Sequence, residues 1–302
     1  MSIIVVGSTA FDDIETPKGK RKRIIGGSCI YFSLAACFKS KPKIVSVVGK
    51  DFSKKIFDKL NKKNIDTEGL VVANGKTFSW GGKYKSISED PETKFTNLNV
   101  FENFKPSIPD SYVRNNKIIF LANIDPDLQN NVLDSMKKKK FIGLDTMNFW
   151  ILSKRKSLDR ALNKIDLLTI NELELSLISN KKSFKKSIQY IFNNYPIKYL
   201  IVKKGSAGSI LATKKSFKWI PCFPFANMTD PTGAGDSFAG GLFSFLEKSK
   251  KIDENSICLG MIYGSAIASF TIESFGINKI MNLKSNELNL RFNELKKISK
   301  IF

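Results

Sequence analysis

The sequence predicts an α/β protein: a mostly parallel sheet with helices on both faces and a small β-sheet appendage. Three observations carry this reading. Short apolar runs alternate with longer amphipathic ones over most of the chain. After residue 232 the pattern turns helical. Two segments, 10–25 and 76–104, contain no good helix and interrupt the alternation.

The runs "SIIVVG" (2–7), "KIVSVVG" (43–49), "KIIFLAN" (117–123), "KFIGLD" (140–145), "DLLTIN" (166–171) and "KYLIVKKG" (198–205) read as strands. They are nearly continuous in apolar residues, as strands of a parallel sheet buried on both faces are. Between them, helical periods cover 28–39, 52–63, 126–136, 155–164, 172–179 and 184–194, followed by 234–247, 254–273 and 284–300. Segment 76–104 alternates like strands, with turns expected at Gly81-Gly82 and Asp90-Pro91. Ligands of open α/β sheets sit at the carboxyl ends of the strands, where both segments begin. The segments 10–25 and 76–104 are therefore expected to form a lid sheet, inserted in one domain spanning 1–302.

Composition excludes several classes. The chain has 302 residues, 42% hydrophobic and 25% charged, which is ordinary globular usage. It has no apolar run of about 18 residues, so no membrane span is expected. The start, "MSIIVVGSTAFDD", reads as a buried strand and not a signal peptide. Cys29, Cys37, Cys222 and Cys258 are far apart and lack metal-ligand spacing, which fits reduced thiols in a cytoplasmic protein. The net charge is +21, but only six of the 49 basic residues are Arg. The lysines are scattered apart from Lys137–Lys140, so no nucleic-acid partner is expected. With no His in the chain, every His-dependent triad and most zinc sites are excluded.

The densest chemistry lies in "DPTGAGDSFAGG" (230–241). It is not a dinucleotide fingerprint, because Phe238 stands where a third glycine belongs; "GKT" at 75–77 is not a P-loop, because position 70 is Leu. A helix N-terminus carries unpaired N–H groups and a partial positive charge. Small residues let an anion approach them, so Gly233-Ala234-Gly235 reads as an anion hole. Asp236 then stands where it could take a proton from a hydroxyl attacking a bound phosphate. An acidic residue in a first helical turn also suits the helix dipole, and that reading stays open beside the catalytic one.

"DPTGAGDSFAGG" resembles the C-terminal signature of the ribokinase-like (PfkB) family of sugar and nucleoside kinases. "GGSCIYFSLAACF" (26–38) is similar to the family's Gly-Gly motif, and "SVVGKDFSKKIFDKLNKKNIDTEGL" continues in family style. "NELE" (171–174) resembles its N-x-x-E motif, and "VKKGSAGS" (202–209) its nucleotide-contacting strand and turn. The motifs occur in family order over nearly the whole chain. The resemblance implies a ribokinase-like three-layer α/β/α sandwich with a β-sheet lid, and an ATP-dependent kinase acting on a sugar hydroxyl. A nucleoside kinase is the alternative, and a non-catalytic ligand-binding protein on the same fold is a further one.

The resemblance also implies roles. Asp236 would be the general base, with Gly233, Ala234 and Gly235 supplying anion-hole amides. Asn171 and Glu174 would position Mg²⁺ beside ATP, Glu174 through water. Lys203, Gly205, Ser206 and Gly208 would lie along the nucleotide. Gly26 and Gly27 would let the acceptor approach the backbone, and Asp12 would bind its hydroxyls. A monovalent cation is a further cofactor the family allows, and a homodimer joined through the lids is the implied assembly. Tyr31 replaces the Asn with which ribokinases read the sugar, and Phe78, Trp80 and Tyr84 add aromatic surface to the lid. Competing local readings remain: Asn171 and Glu174 also fit a helix capping box, Gly26-Gly27 a helix-entry turn, Lys203 an ordinary lysine, and either Asp12 or Asp13 the family aspartate.

Overall fold

A computed structural model describes residues 2–86, 90–113, 116–136, 140–224 and 226–300. Residues 87–89 of the expected lid and Lys137, Lys138 and Lys139 of the basic run lie outside the described residues.

Thirteen strands form two sheets among the described residues. They are β1 (Ser2–Val6), β2 (Ala10–Thr16), β3 (Gly19–Gly26), β4 (Pro42–Gly49), β5 (Leu70–Ala73), β6 (Phe78–Lys83), β7 (Glu92–Asn97), β8 (Asn116–Leu121), β9 (Phe141–Asp145), β10 (Leu167–Asn171), β11 (Tyr199–Lys203), β12 (Ser209–Ala212) and β13 (Phe217–Ile220). The larger sheet has the order β13-β12-β11-β10-β9-β8-β1-β4-β5. It is parallel from β11 to β5, while β12 and β13 add an antiparallel edge.

The helices are α1 (Ser28–Ala36), α2 (Lys54–Lys62), α3 (Asp110–Val113), α4 (Pro126–Ser135), α5 (Asn148–Ser153), α6 (Arg155–Leu162), α7 (Glu172–Ser179), α8 (Phe184–Asn194), α9 (Ala234–Lys248), α10 (Glu254–Thr271), α11 (Asn278–Asn282) and α12 (Ser285–Ser299). Several start where the sequence supplies a cap. Asp125 accepts from Asp127 N ahead of Pro126 in α4, and Asp253 and Ser256 form a capping box on α10.

The two-residue period of a strand divides the core into two layers. On β1, Ile3 and Val5 join the cluster containing Phe32, Phe120 and Phe243 under α1, α9 and α10, whereas Ile4 and Val6 join the cluster on the opposite face with Ile119, Leu144 and Leu200. The expected three-layer α/β/α sandwich is present. The second glycine pair of the signature has a packing role. A methyl at Gly240 would come within 2.2 Å of the Phe32 carbonyl oxygen, and one at Gly241 within 2.7 Å of the Gly264 α-carbon, so α9 can lie this close to α1 and α10 only with glycine at both positions.

The smaller sheet, β3-β2-β6-β7, is the expected lid, with four strands contributed by both interrupting segments. Two expectations about it are corrected. Gly81 and Gly82 are not a turn; they lie inside β6. Their missing side chains leave room for rings. A methyl at Gly81 would meet the Phe95 ring at 2.4 Å, and one at Gly82 the Trp80 ring at 2.1 Å. The lid strands also end at Asn97, not at 104. A 3₁₀ turn over Asn99–Asn103 carries the chain back to the body, where Phe101 is buried against Phe78 and Phe104 in the second core cluster.

Candidate active site

Three parallel neighbours end in polar residues at one edge of the sheet: β9 in Asp145, β10 in Asn171 and β11 in Lys203. Asn171 is in register with Lys203, and Thr169 with Asp145. The Lys203 ammonium donates to both Asp145 carboxylate oxygens, at 3.0 and 3.3 Å. Lys204 points elsewhere, toward Glu172 and over the Phe184 ring. Alternation along β11 thus assigns only the first lysine of the pair to the site.

The helix α9 starts beside this row. Gly233 caps it with φ +76°, a left-handed conformation that favours glycine, and no side chain caps its first turn. The Lys203 ammonium lies 3.4 Å from the position of a methyl on Gly235, so the lysine faces the turn directly. Asp236 stands in the first turn. Desolvation, joined by the neighbouring Asp145 carboxylate, pushes its pKa up to about 7, against the opposing pull of Lys203. Burial disfavours the charge on Lys203, but Asp145 and Glu174 hold it in the ammonium form.

Asn171 and Glu174 do form the capping box. Asn171 Oδ1 accepts from Glu174 N at 2.8 Å, and Glu174 Oε2 accepts from Asn171 N at 2.7 Å. The local reading and a place in the site coexist. Glu174 is buried, and that burial raises its pKa while Lys203 acts in the other direction.

Gly205, Ser206 and Gly208 make the turn after β11, with Ser206 exposed. Cys222 Sγ donates to the Ser206 carbonyl at 2.7 Å, and the Trp219 indole donates to that of Ala207 at 2.7 Å. Across the site, Asp12 on β2 is buried and lies flat on Gly26. A methyl there would come within 1.8 Å of Asp12 Oδ2, so only glycine fits. Asp13 turns outward and accepts from Arg23 N at 2.7 Å. Burial, with Asp230 and Asp236 as like charges, raises the Asp12 pKa to about 8, against a hydrogen bond from the Gly27 amide. Trp80 is in register with Asp12 and shares its face of the lid.

Tyr31 is fully buried with its ring against Gly233, and its phenol finds no hydrogen-bond partner among the described residues. Three further residues belong to this region that sequence reasoning did not assign. Asp145 carried only the weak signal of "DTMN" at a strand end. Asp230 is completely buried, accepting from Thr232 N and Gly276 N at 2.9 Å each. Thr232 Oγ1 hydrogen-bonds the Tyr84 phenol at 3.0 Å. Among the described residues no helix is long and apolar enough to cross a membrane.

The chain is similar to a cytidine kinase of Thermococcus kodakarensis, at 24% identity over 262 residues, 84% of this chain and 91% of that protein. It is 26% identical to a nucleoside kinase of Methanothermobacter thermautotrophicus over 291 residues, 91% of this chain and 90% of the relative. Solved structures share the fold. The Methanocaldococcus jannaschii nucleoside kinase superposes with a TM-score of 0.77 at 22% identity, covering 97% of this chain and 99% of that one. Ribokinase from Giardia lamblia superposes with a TM-score of 0.80 at 18% identity, with the same coverage. The pfkB family carbohydrate kinase model matches residues 25–282, from the Gly26-Gly27 pair through the α9 signature. The expected motifs and the matched region coincide: this chain belongs to the pfkB family of carbohydrate kinases.

Proposed function

We propose that the protein transfers the γ-phosphoryl group of ATP to a hydroxyl of a sugar or of a sugar-bearing nucleoside, with Asp236 as general base. The observation that carries this is the Asp236 carboxylate, raised to about 7, in the first turn of a helix whose N-terminus no side chain caps. A base with a pKa near neutrality accepts a proton readily and is still about half carboxylate at neutral pH. The acceptor lies between Asp12 and Asp236, its hydroxyl proton passing to Asp236 as the oxygen attacks phosphorus. The amides of Gly233 and Gly235 face the charge that develops on the phosphoryl oxygens, whereas the Ala234 amide, expected to join them, already donates to the Pro231 carbonyl at 3.2 Å. Lys203 offsets part of the negative charge of Asp145, Glu174 and Asp236 and keeps Asp236 below the pKa that burial alone would impose.

The nucleotide lies along Gly205, Ser206 and Gly208. Mg²⁺ fits the donor chemistry here, because the oxygens of Glu174, Asp145 and Asp236 all bear on one ammonium. Among the described residues no three Asp, Glu, Cys or His side chains are grouped to hold a metal directly. Glu174 would therefore hold the ion through water, as Mg²⁺ commonly allows. The ion supplies neutralisation of the phosphates.

A nucleoside acceptor is favoured over a free sugar by one feature, the flat Trp80 ring on the Asp12 face of the lid, which offers a stacking surface. The relatives named cytidine kinase and nucleoside kinase support the same preference. Incubation with ATP, Mg²⁺ and each of cytidine, adenosine, ribose and fructose, followed by ADP release and mass spectrometry of the product, tests the proposal. A phosphorylated product from at least one acceptor is expected. ADP release independent of every acceptor would overturn it.

A further inference from the structure

The lid reaches the signature loop at three places. Thr16 Oγ1 donates to the Thr229 carbonyl at 3.1 Å, and Lys18 Nζ to Asn227 Oδ1 at 2.6 Å. The third contact is between two hydroxyls, Tyr84 and Thr232, 3.0 Å apart. The first two reach residues four and six positions before Gly233. The third grips its immediate neighbour. Tyr84 follows β6 directly and is itself fixed. Its amide donates to the Glu15 carbonyl at 2.8 Å, and its side chain packs with Ile14, Ile24 and Phe275 in a small apolar cluster between lid and body.

Thr232 is held from the other side by Asp230, which accepts its amide and is anchored through its second oxygen to Gly276 N. Gly233 then sits on the Tyr31 ring. The entry to α9 is thus clamped between a buried body tyrosine and a lid tyrosine. Only the lid tyrosine depends on the position of the lid.

We propose that Tyr84 is a positioning residue for phosphoryl transfer: with the lid closed, its phenol fixes Thr232 and so holds the Gly233 and Gly235 amides in their anion-binding orientation. The proposal rests on the kinase reading. It gives closure a second consequence beyond covering the acceptor. The amides reach their working geometry only when the lid is down, so a phosphate in an open site meets a looser turn and is less readily lost to water. Loose positioning at a reacting centre costs rate more than affinity.

Tyr84→Phe keeps the ring in its apolar cluster and removes only the hydroxyl. Thr232→Val removes the partner hydroxyl. Hydrogen exchange followed by mass spectrometry on the ligand-free proteins should show amides 232–235 exchanging about fivefold faster in either variant, the weight of one neutral hydrogen bond. Residues 199–203 should stay unchanged, and the double variant should be no faster than either single one. With the fastest of cytidine, adenosine, ribose and fructose as acceptor, Tyr84→Phe should lower kcat about tenfold while the KM for ATP stays within about twofold. Unchanged exchange at 232–235, or an unchanged kcat, overturns the proposal. A wild-type protein that phosphorylates none of the four acceptors overturns the kinase reading instead, and the exchange measurement then still decides whether Tyr84 holds the turn.

Discussion

The ring of Tyr31 lies directly against the α-carbon of Gly233: a methyl group added there would stand 2.3 Å from the ring. Gly233 also has φ +76°. Gly233→Ala therefore meets two penalties, a left-handed alanine at about 1–2 kcal/mol and a collision with an aromatic ring that is buried and cannot yield. Thermal denaturation should show a loss above about 2 kcal/mol, with activity abolished. Tyr31→Phe should do the opposite to stability. It keeps the ring and removes a buried hydroxyl without a partner, which leaves stability equal or raised by about 1 kcal/mol. A clear loss of stability in that variant would mean that the phenol has a partner in solution.

Asp236→Asn should fold and bind nucleotide like the parent while losing roughly 10²–10⁴ in turnover, the usual contribution of a general base. Steady-state rates of the purified variant check this. Retention of more than a tenth of the rate would remove Asp236 from that role, leaving it as a helix-dipole residue.

The rate should depend on pH through the same group. Asp236 must be a carboxylate to accept a proton, so kcat/KM should rise with pH through an acid limb near 7. Asp145 raises that pKa, and Lys203, its partner, lowers it. In Asp145→Asn the like charge is gone and Lys203 is released from its ion pair, and both changes favour the carboxylate. The acid limb should move to lower pH by about one unit. A shift to higher pH would contradict this account of the charge row.

Glu174→Gln keeps an oxygen able to accept from Asn171 N, so the capping box can persist with little loss of stability. The amide lacks the negative charge that suits water-coordinated Mg²⁺. Titration of Mg²⁺ at fixed ATP should show a weaker apparent affinity for the ion, about tenfold, with the KM for the acceptor little changed. An unaltered Mg²⁺ profile would assign Glu174 to capping alone.

We propose that the outer face of the lid pairs with a second subunit. The inner face is occupied by the body of the same chain, through Ile14, Tyr84 and Phe275. Phe95 lies across Gly81 on the other face, and β7, next to the strand that carries Gly81, is one of the sheet's two edges and largely exposed. Light scattering should report a dimer for the parent and a monomer for Phe95→Asp. Phe101 is unsuitable for this purpose, since it is buried in the body and its replacement would damage the core. A monomeric parent rules the assembly out.

Much of the fold was legible because β1, β4, β8, β9, β10 and β11 of the parallel sheet are contiguous apolar runs and the long helices have clear periods. The edges were not. In β5, Val71 and Val72 are both exposed, and in β13 the exposed positions carry Phe217 and Trp219, so in neither strand do the apolar residues mark the buried face. Gly81-Gly82 reads as a turn in any local view. Its true reason, two rings lying across it, comes partly from Phe95 on another strand. The site shows the same division. The 230–241 signature is local and readable. The Asp145–Lys203 pair spans 58 residues and the Tyr84–Thr232 contact 148, and no local pattern links residues so far apart.

The apolar cluster between lid and body sets the lid's working range. It contains three buried side chains, Ile14, Tyr84 and Phe275, outside both large clusters of the sandwich. Burying a large apolar side chain stabilises by about 1.5–3 kcal/mol, and a neutral hydrogen bond adds about 1 kcal/mol. The fastening is thus of the same size as the free energy with which a small molecule binds at millimolar to micromolar concentration, about 4–8 kcal/mol. It is strong enough to keep an empty lid shut most of the time and weak enough to be undone without loosening either layer of the sandwich. The fastening therefore behaves like a press-stud: the cloth on both sides stays whole each time it opens.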